Sequence, residues 1–382
     1  MQMSAPIRRI ALTVCAVVSL LRVAPVASAQ GDAAAIVAYL EQVRHQTGAP
    51  GISAAVAVDG EIVFSGGVGY AELDNRTPAT GATVWNVGSV SKVMAAVAVM
   101  QLVEQGKVGL DDEIRTYVPA FPDKGTPITL RQILTHTSGI RHYRDGEFGP
   151  HGLRSMRFFD DFDEAIQHFT EDSLLYEPGT LWLYSSHAYN LLQGVVEQAS
   201  GLGFEDYMRT HVWEPAGMLG SSFDVPTRVV HGRGRGYVRD ADGTIVNSRY
   251  EDVSYKYAGG GMLSTVADLV RMGVAINDGT LLGFEAVAEM HAPQIDPVMQ
   301  FRADGVPREL PFGQALGWDL YTDASGRPYI SKTGTVRGTR SVVVNYPDHG
   351  LVVAVQANIV PFDSRTRGVA IAQMFLSPVH AR

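Results

Sequence analysis

The 382-residue sequence predicts an α/β fold, a mainly antiparallel sheet packed with helices, with an all-helical lobe inserted in its middle. Three observations carry this. Strand-like runs gather at both ends of the chain, short helical segments fill the centre, and one helix beginning near residue 90 is apolar on nearly every face. A helix of that last kind belongs inside a core, and strands from both termini with helices between them build one sheet.

Residues 33–46 have helical periodicity, and Gly48 and Pro50 stand where that helix would end. Residues 52–58 and 61–70 then flank Asp59-Gly60, a strong hairpin signal. Residues 89–105 form the apolar helix, with Met94, Val97, Met100 and Val103 in it and Gly106 at the C-cap position. Between 119 and 249 the pattern is short helices joined by Gly- and Pro-containing loops, and the strongest, 187–199, is closed by Gly201. Thr265 and Asp268 have capping-box spacing ahead of a helix to 277. Strands return at 341–346 and 351–357 around Pro347-Asp348-His349-Gly350, and a last helix is expected over 364–375. The expected organisation is a leader over 1–29 and one domain over 30–382. Within it, 30–118 and 250–382 would form the α/β lobe and 119–249 the helical one.

The leader reading rests on Arg8-Arg9, a following apolar run and the small-x-small pattern Ala27-Ser28-Ala29. The run is well short of the ~20 residues a spanning helix needs, so export with cleavage near Ala29 is expected, to the periplasm or outside the cell, without a stable membrane anchor. The single cysteine, Cys15, lies in that run with Val14 before it, a poor lipid-attachment site. Its loss with the leader leaves no disulfide, so stability must come from core burial. A formal charge of −9 offers nothing to nucleic acid or an anionic membrane.

Only five of the 31 basic residues are lysine: Lys92, Lys107, Lys124, Lys256 and Lys332. Arginine stays protonated at any working pH, whereas a desolvated or crowded lysine gives up its proton, so a chemical role can require lysine. Lys92 closes Ser89-Val90-Ser91-Lys92 at the start of the apolar helix. Residues three apart share a helix face, so Lys92 can reach the Ser89 hydroxyl, and the helix N-terminus favours developing negative charge nearby. With 23 serines and five lysines in the chain, roughly 0.3 such tetrads arise by chance, and a capping serine beside a surface lysine is the bland alternative. Lys332-Thr333-Gly334 is rarer, at about 0.03 by chance. It follows strand-like Tyr329-Ile330-Ser331, where lysine and threonine could hold a substrate carboxylate, or it is a turn between strands. Tyr184-Ser185-Ser186 precedes the 187–199 helix. A phenol between two lysines could act as a base, or Tyr184 could be an ordinary half-buried aromatic with Ser185 or Ser186 as N-cap.

In that order and spacing the three motifs resemble class C β-lactamases, D-alanyl-D-alanine carboxypeptidases and related esterases, a β-lactamase/transpeptidase-like fold. The likeness spans the chain after the leader. It includes Leu134-Thr135-His136-Thr137-Ser138-Gly139-Ile140, Glu214-Pro215-Ala216-Gly217-Met218 and Gly259-Gly260-Gly261-Met262-Leu263-Ser264-Thr265. Gly139-Ile140-Arg141-His142-Tyr143 and Ala315-Leu316-Gly317-Trp318 look most like the branch of mitochondrial serine β-lactamase-like proteins. The resemblance implies Ser89 as the acylated nucleophile, Lys92 as its proton partner and Tyr184 as a second base. It also implies Lys332 beside Tyr184 and the substrate carboxylate, Thr333 and Gly334 at the substrate, and an oxyanion hole of the Ser89 and Thr335 N–H groups.

Ser186 departs from the asparagine usual at that position, whose amide holds the substrate's acyl-amide group. A hydroxyl reaches less far, which argues for a broader ester, amide or peptide hydrolase over an efficient β-lactamase or D-alanyl carboxypeptidase. The retained Lys332 favours a small-molecule or peptide substrate bearing a carboxylate. A non-catalytic, self-associating scaffold is the rival from another class. No cofactor is implied. The eleven histidines include no metal-binding pair at helical spacing, and His142 and His151 fall in a glycine-rich loop. Asp160, Asp161, Asp163 and Glu164 are best explained as a solvated helix start.

Overall fold

The structure, a computed structural model, describes residues 27–144, 146–147 and 156–376. The arginine-led part of the expected leader and His151 lie outside the described residues. Six principal strands follow one another along the chain: β1 (Gly51–Val58), β2 (Glu61–Glu72), β3 (Asp319–Thr322), β4 (Pro328–Val336), β5 (Thr339–Tyr346) and β6 (Leu351–Ala357). Flanked by the short strands Gly313–Gln314 and Thr77–Pro78, they form one eight-stranded sheet in the spatial order Gly313–Gln314, β3, β4, β5, β6, β1, β2, Thr77–Pro78. Every neighbouring pair in it is antiparallel.

The N-terminal hairpin joins the C-terminal one through β1 and β6, with Ile52 opposite Ala357 and Val58 opposite Leu351. Asp59 and Gly60 have φ of 46° and 87°, the two left-handed residues that a tight hairpin turn requires. The principal helices are α1 (Ala27–Thr47), α2 (Ser91–Glu104), α3 (Phe162–Thr170), α4 (Ser186–Ser200), α5 (Val266–Asn277) and α6 (Ser364–Ala372). None of the helices among the described residues is long and apolar enough to cross a membrane.

Both sheet faces are covered, which is why the central strands are almost continuously apolar. Ala54, Val56, Val342, Val344, Val353 and Val355 pack in one core with Ile36, Leu40 and Val43 of α1 and Ile371 of α6. The intervening Ala55, Ala57, Val343, Val352 and Ala354 enter the other core with α2, α4 and α5. Side chains alternate along a strand, so one run of small and branched residues serves two layers. Gly273 lets α5 approach the sheet, since a Cβ there would stand 2.6 Å from Val352 Cγ1.

The structure departs from the sequence reading at several points, beginning with α1, which starts at Ala27 instead of residue 33. The apolar α-helix starts at Ser91, because Gly88 at φ 53° turns the chain into a single 3₁₀ turn, Gly88–Val90, before α2. Segment 119–249, expected to be all-helical, also carries Ser222–Phe223, Tyr237–Arg239 and Ile245–Asn247. Tyr237–Arg239 pairs with both Ile245–Asn247 and Ile359–Val360, so tertiary pairing, not local pattern, makes it a strand. Thr265 caps α5 by accepting the Asp268 N–H at 3.0 Å, but the Asp268 carboxylate turns to the Gly220 N–H and Ser221 hydroxyl instead of closing a capping box. The last helix stops at Ala372. The acidic cluster is a helix start, with Asp161 accepting the Glu164 N–H at the head of α3.

Leu102 of α2 is fully buried in the helix-side core. Leu102→Ala is expected to lower the free energy of unfolding by about 2–5 kcal/mol through lost burial and a residual cavity, measured by urea titration.

Candidate functional site

The Ser89 turn is held from three directions. The Val87 N–H donates to Met262 O at 3.0 Å, the Ser341 hydroxyl donates to Val87 O at 2.6 Å, and the Met262 N–H donates to the Ser91 hydroxyl at 3.3 Å. The turn thus lies between β5 and the Gly259-Gly260-Gly261-Met262 segment. Ser89 is no cap of α2, whose N-cap is Val90 without a side-chain bond, and Lys92 is fully buried. The bland alternative for this tetrad, a capping serine with a surface lysine, is excluded on both counts.

Lys92 Nζ donates to Gly259 O at 2.5 Å, to Ser186 Oγ at 2.9 Å and to Ser89 Oγ at 3.4 Å. The Tyr184 hydroxyl bonds the same Ser89 oxygen at 2.6 Å. Tyr184 stands in an extended segment pinned to the loop before it: the Leu183 N–H donates to His136 O at 2.9 Å and the Ser185 N–H to His136 Nδ1 at 3.2 Å. Ser185 is the N-cap of α4, accepting the Ala188 N–H at 3.1 Å, which frees Ser186 to face Lys92. Local capping and the site thus use successive residues of one motif.

Lys332, Thr333 and Gly334 lie within β4, not in a turn. β3 pairs β4 only as far as Ser331, opposite Asp319, so it leaves the edge of β4 beyond that point open toward the Ser89 turn. Gly334 allows the approach: a Cβ there would stand 1.9 Å from Val87 O and 2.8 Å from Ser89 N. A Cβ on Gly88 would likewise stand 2.5 Å from Thr335 N. The backbones carrying the Ser89 and Thr335 N–H groups therefore touch, which brings the two expected oxyanion donors close together. Lys332 is buried and donates to Asp319 Oδ1 at 2.9 Å, and its Nζ lies 5.5 Å from the Tyr184 ring centre.

These groups share one cavity of about 490 Å³ lined by Ser89, Tyr184, Ser186, Lys332, Thr333, Gly334 and Thr335. Burial pushes Lys92 down to about 8; the Tyr184 oxygen resists, and the charges of Lys332 and Lys256 add to the fall. Burial pushes the Tyr184 phenol up, but the charges of Lys92 and Lys332, with hydrogen bonds from Lys92 and Ser89, outweigh it and hold it below its ordinary value. Both groups are held below their ordinary values and share a short path through Ser89, which suits them to exchange a proton as a coupled pair.

Residues 36–374 match the family model described as Beta-lactamase. The chain belongs to the beta-lactamase family. Its place there is among serine hydrolases that work through an acyl-enzyme. The mitochondrial serine beta-lactamase-like protein LACTB of Homo sapiens is 28% identical over 435 residues, covering 88% of this chain and 78% of that protein. A putative penicillin-binding protein, PbpX, of Bacillus subtilis is 30% identical over 241 residues, covering 63% of this chain and 58% of that one. Among solved structures, the octameric penicillin-binding protein homologue from Pyrococcus abyssi superposes with a TM-score of 0.75 at 25% identity, covering 90% of this chain and 77% of that chain. A D-stereospecific amidohydrolase from Streptomyces sp. gives 0.75 at 21% identity, covering 90% and 99%, a likeness of fold.

Sequence reasoning missed several residues of this beta-lactamase-family site. Asp319, which pairs with Lys332, starts a short strand directly after the Ala315-Leu316-Gly317-Trp318 segment, just outside that signature. Lys256, the second lysine lining the cavity beside Lys332, donates to Glu251 Oε1 at 2.5 Å, and Glu251 lines it as well. The scarcity of lysine was the signal available for Lys256. His136 was quoted only as part of a longer segment, and His142 only in another such segment and as a histidine set aside as a metal ligand. His136 lies under Tyr184 at 4.5 Å between ring centres, with burial first and the Lys332 and Lys92 charges next holding it neutral.

Glu147, His168 and His187 bring potential metal ligands within 4.8 Å of one another, a cluster the sequence did not suggest. The Arg141 guanidinium already occupies it, bonding both Glu147 oxygens at 2.8 and 2.9 Å and lying 3.1 Å from His187 Nε2. A metal ion there would face a fixed positive charge, so the cluster is an ion-pair network that anchors the loop carrying His142.

Gly334→Ala is expected to separate β4 from the Ser89 turn and to slow fluorophosphonate labelling of Ser89 about a hundredfold, the cost of losing an oxyanion donor. Mass spectrometry of the adduct against time checks it.

Proposed function

We propose that the chain hydrolyses an ester, amide or peptide bond through a covalent Ser89 ester. The observation that carries this is the convergence of Tyr184 and Lys92 on Ser89 Oγ, at 2.6 and 3.4 Å. Ser89 Oγ attacks the substrate carbonyl, and its proton passes to the coupled Lys92–Tyr184 pair. The carbonyl oxygen takes the negative charge beside the Ser89 and Thr335 N–H groups. As the tetrahedral species collapses, the pair returns the proton to the leaving oxygen or nitrogen. Water then repeats the sequence on the acyl-enzyme, its proton going to the pair and back to Ser89 Oγ as the carboxylic acid departs. Lys332 supports the step by favouring the ionised phenol.

Ser186 shapes the substrate range. Its hydroxyl accepts from Lys92, so its side chain is committed to the proton-transfer pair instead of to an acyl-amide group. This supports a general hydrolase above an efficient β-lactamase. A substrate carboxylate at the Lys332 end would share that lysine with Asp319, and Arg365 lines the same cavity as a second cation. Export with removal of the leader near Ala29 belongs to the same proposal, on the strength of the Arg8-Arg9, apolar-run and Ala27-Ser28-Ala29 pattern.

Ser89→Ala is expected to abolish both fluorophosphonate adduct and turnover of a short-chain nitrophenyl ester. An unmodified Ser89 in folded wild-type protein would refute the enzyme and favour a scaffold. In the wild type, the labelling rate is expected to rise with pH through an inflection near the Lys92 value of about 8, as the pair sheds its proton. Lys332 lowers both members of the pair, so Lys332→Met is expected to move that inflection upward. An inflection that stays in place would remove Lys332 from the proton-transfer step.

A further inference from the structure

We propose that His142 supplies the donor for an acyl side-chain oxygen of the substrate, through an Nε2–H fixed beside Tyr184. The inference rests on the acyl-transfer reading above and names a residue and substrate class for it.

The Ser186 backbone N–H donates to His142 Nδ1 at 3.2 Å. An imidazole nitrogen that accepts a hydrogen bond carries no proton, so the neutral ring bears its hydrogen on Nε2. Burial, then the charges of Lys92, Lys256 and Arg141, press the imidazole down to about 3 against the pull of Glu147, and the ring stays neutral at any working pH. Its Nε2 finds no hydrogen-bond acceptor among the described residues, and His142 lines the same cavity as Ser89 and Tyr184. Among the described residues the ring is a donor without an acceptor, and the cavity it lines is where an acyl oxygen would meet it.

The ring is also held still. Tyr143 stacks on it at 4.4 Å and 29°, and it meets Tyr184 edge-on at 5.3 Å. Arg141 Nη1 donates to the His142 carbonyl at 3.0 Å, and Arg141 is itself anchored by Glu147 and by Asp172 at 2.6 Å. The Ser185 hydroxyl donates to the Arg141 carbonyl at 2.8 Å. The segment bearing His142 is thus fastened to the start of α4 by side chain and backbone, and a donor whose direction is fixed in advance costs little ordering on binding.

Ser186 ties the two halves together. Its hydroxyl is taken by Lys92 and its N–H by His142, so the residue with the shorter reach orients a ring that lines the cavity. The chemical class that follows is an acyl donor with a hydrogen-bond acceptor close to the scissile carbonyl, such as an N-acylaminoacyl or alkoxyacyl ester or amide, in preference to a simple alkanoyl ester. A buried donor left unpaired by the simple ester accounts for the preference.

The test compares nitrophenyl esters of N-acetylglycine and of butyric acid, similar in length but differing in the amide. The readout is the ratio of their kcat/KM values. His142→Ala is expected to lower the ratio about tenfold, the worth of one such bond, and His142→Gln, which can present an amide donor from the same place, is expected to restore most of it. An unchanged ratio in His142→Ala, including a parallel fall on both esters, overturns the proposal, because a merely structural His142 would affect both alike. A ratio that falls in His142→Ala and stays equally low in His142→Gln overturns the donor role as well. Failure of the underlying reading is separate: wild-type protein would then form no Ser89 adduct with a fluorophosphonate.

Discussion

The site is organised around a lysine ammonium that the protein has taken out of water. Lys92 has no exposed surface, and its Nζ spends its donors on Gly259 O, Ser186 Oγ and Ser89 Oγ. A charge moved into an apolar interior is costly unless hydrogen bonds replace its hydration. The three acceptors come from the glycine-rich segment before α5, the head of α4 and the turn before α2, so satisfying one nitrogen fixes where three parts of the chain meet. The apolar surround that makes Lys92 costly as a cation also brings its acidity into the range where a proton can be exchanged.

Much of the frame could be read from residue order. The hairpins followed from Asp59-Gly60 and from paired apolar runs, α4 from its periodicity with Gly201 behind it, and α2 from its lack of a polar face. Those signals are local, and local structure follows them. The grouping of Ser89, Lys92, Tyr184 and Lys332 was legible because each sits in a short motif. Asp319 was not, since it is one of 40 acidic residues and its meaning arises only when β3 pairs with β4. His142 meets the Ser186 N–H across 44 positions, and no pattern near either residue encodes the encounter. Tyr237–Arg239 became a strand for the same reason, through partners distant in sequence.

Close backbone approach is the second theme of the architecture. Gly88 and Gly334 face one another's segments with no room for a Cβ, and that absence lets the turn and the strand lie in backbone contact. Side chains could not build this arrangement as economically, because each would add rotamers to be frozen. β3 ends early, and the exposed edge of β4 then runs past Ser89 with its upper half free for an extended ligand.

The pairing of Lys332 with Asp319 and of Lys256 with Glu251 has a consequence for how molecules arrive. Each cation of these pairs carries its counter-ion inside the protein, so the cavity presents strong fields at contact and weak ones at a distance. The long-range attraction of these two lysines, the part of electrostatics that dissolved salt screens, is largely cancelled by their own partners. A charged substrate then senses these two lysines at contact far more than at a distance, and their share of its attraction changes little with dissolved salt.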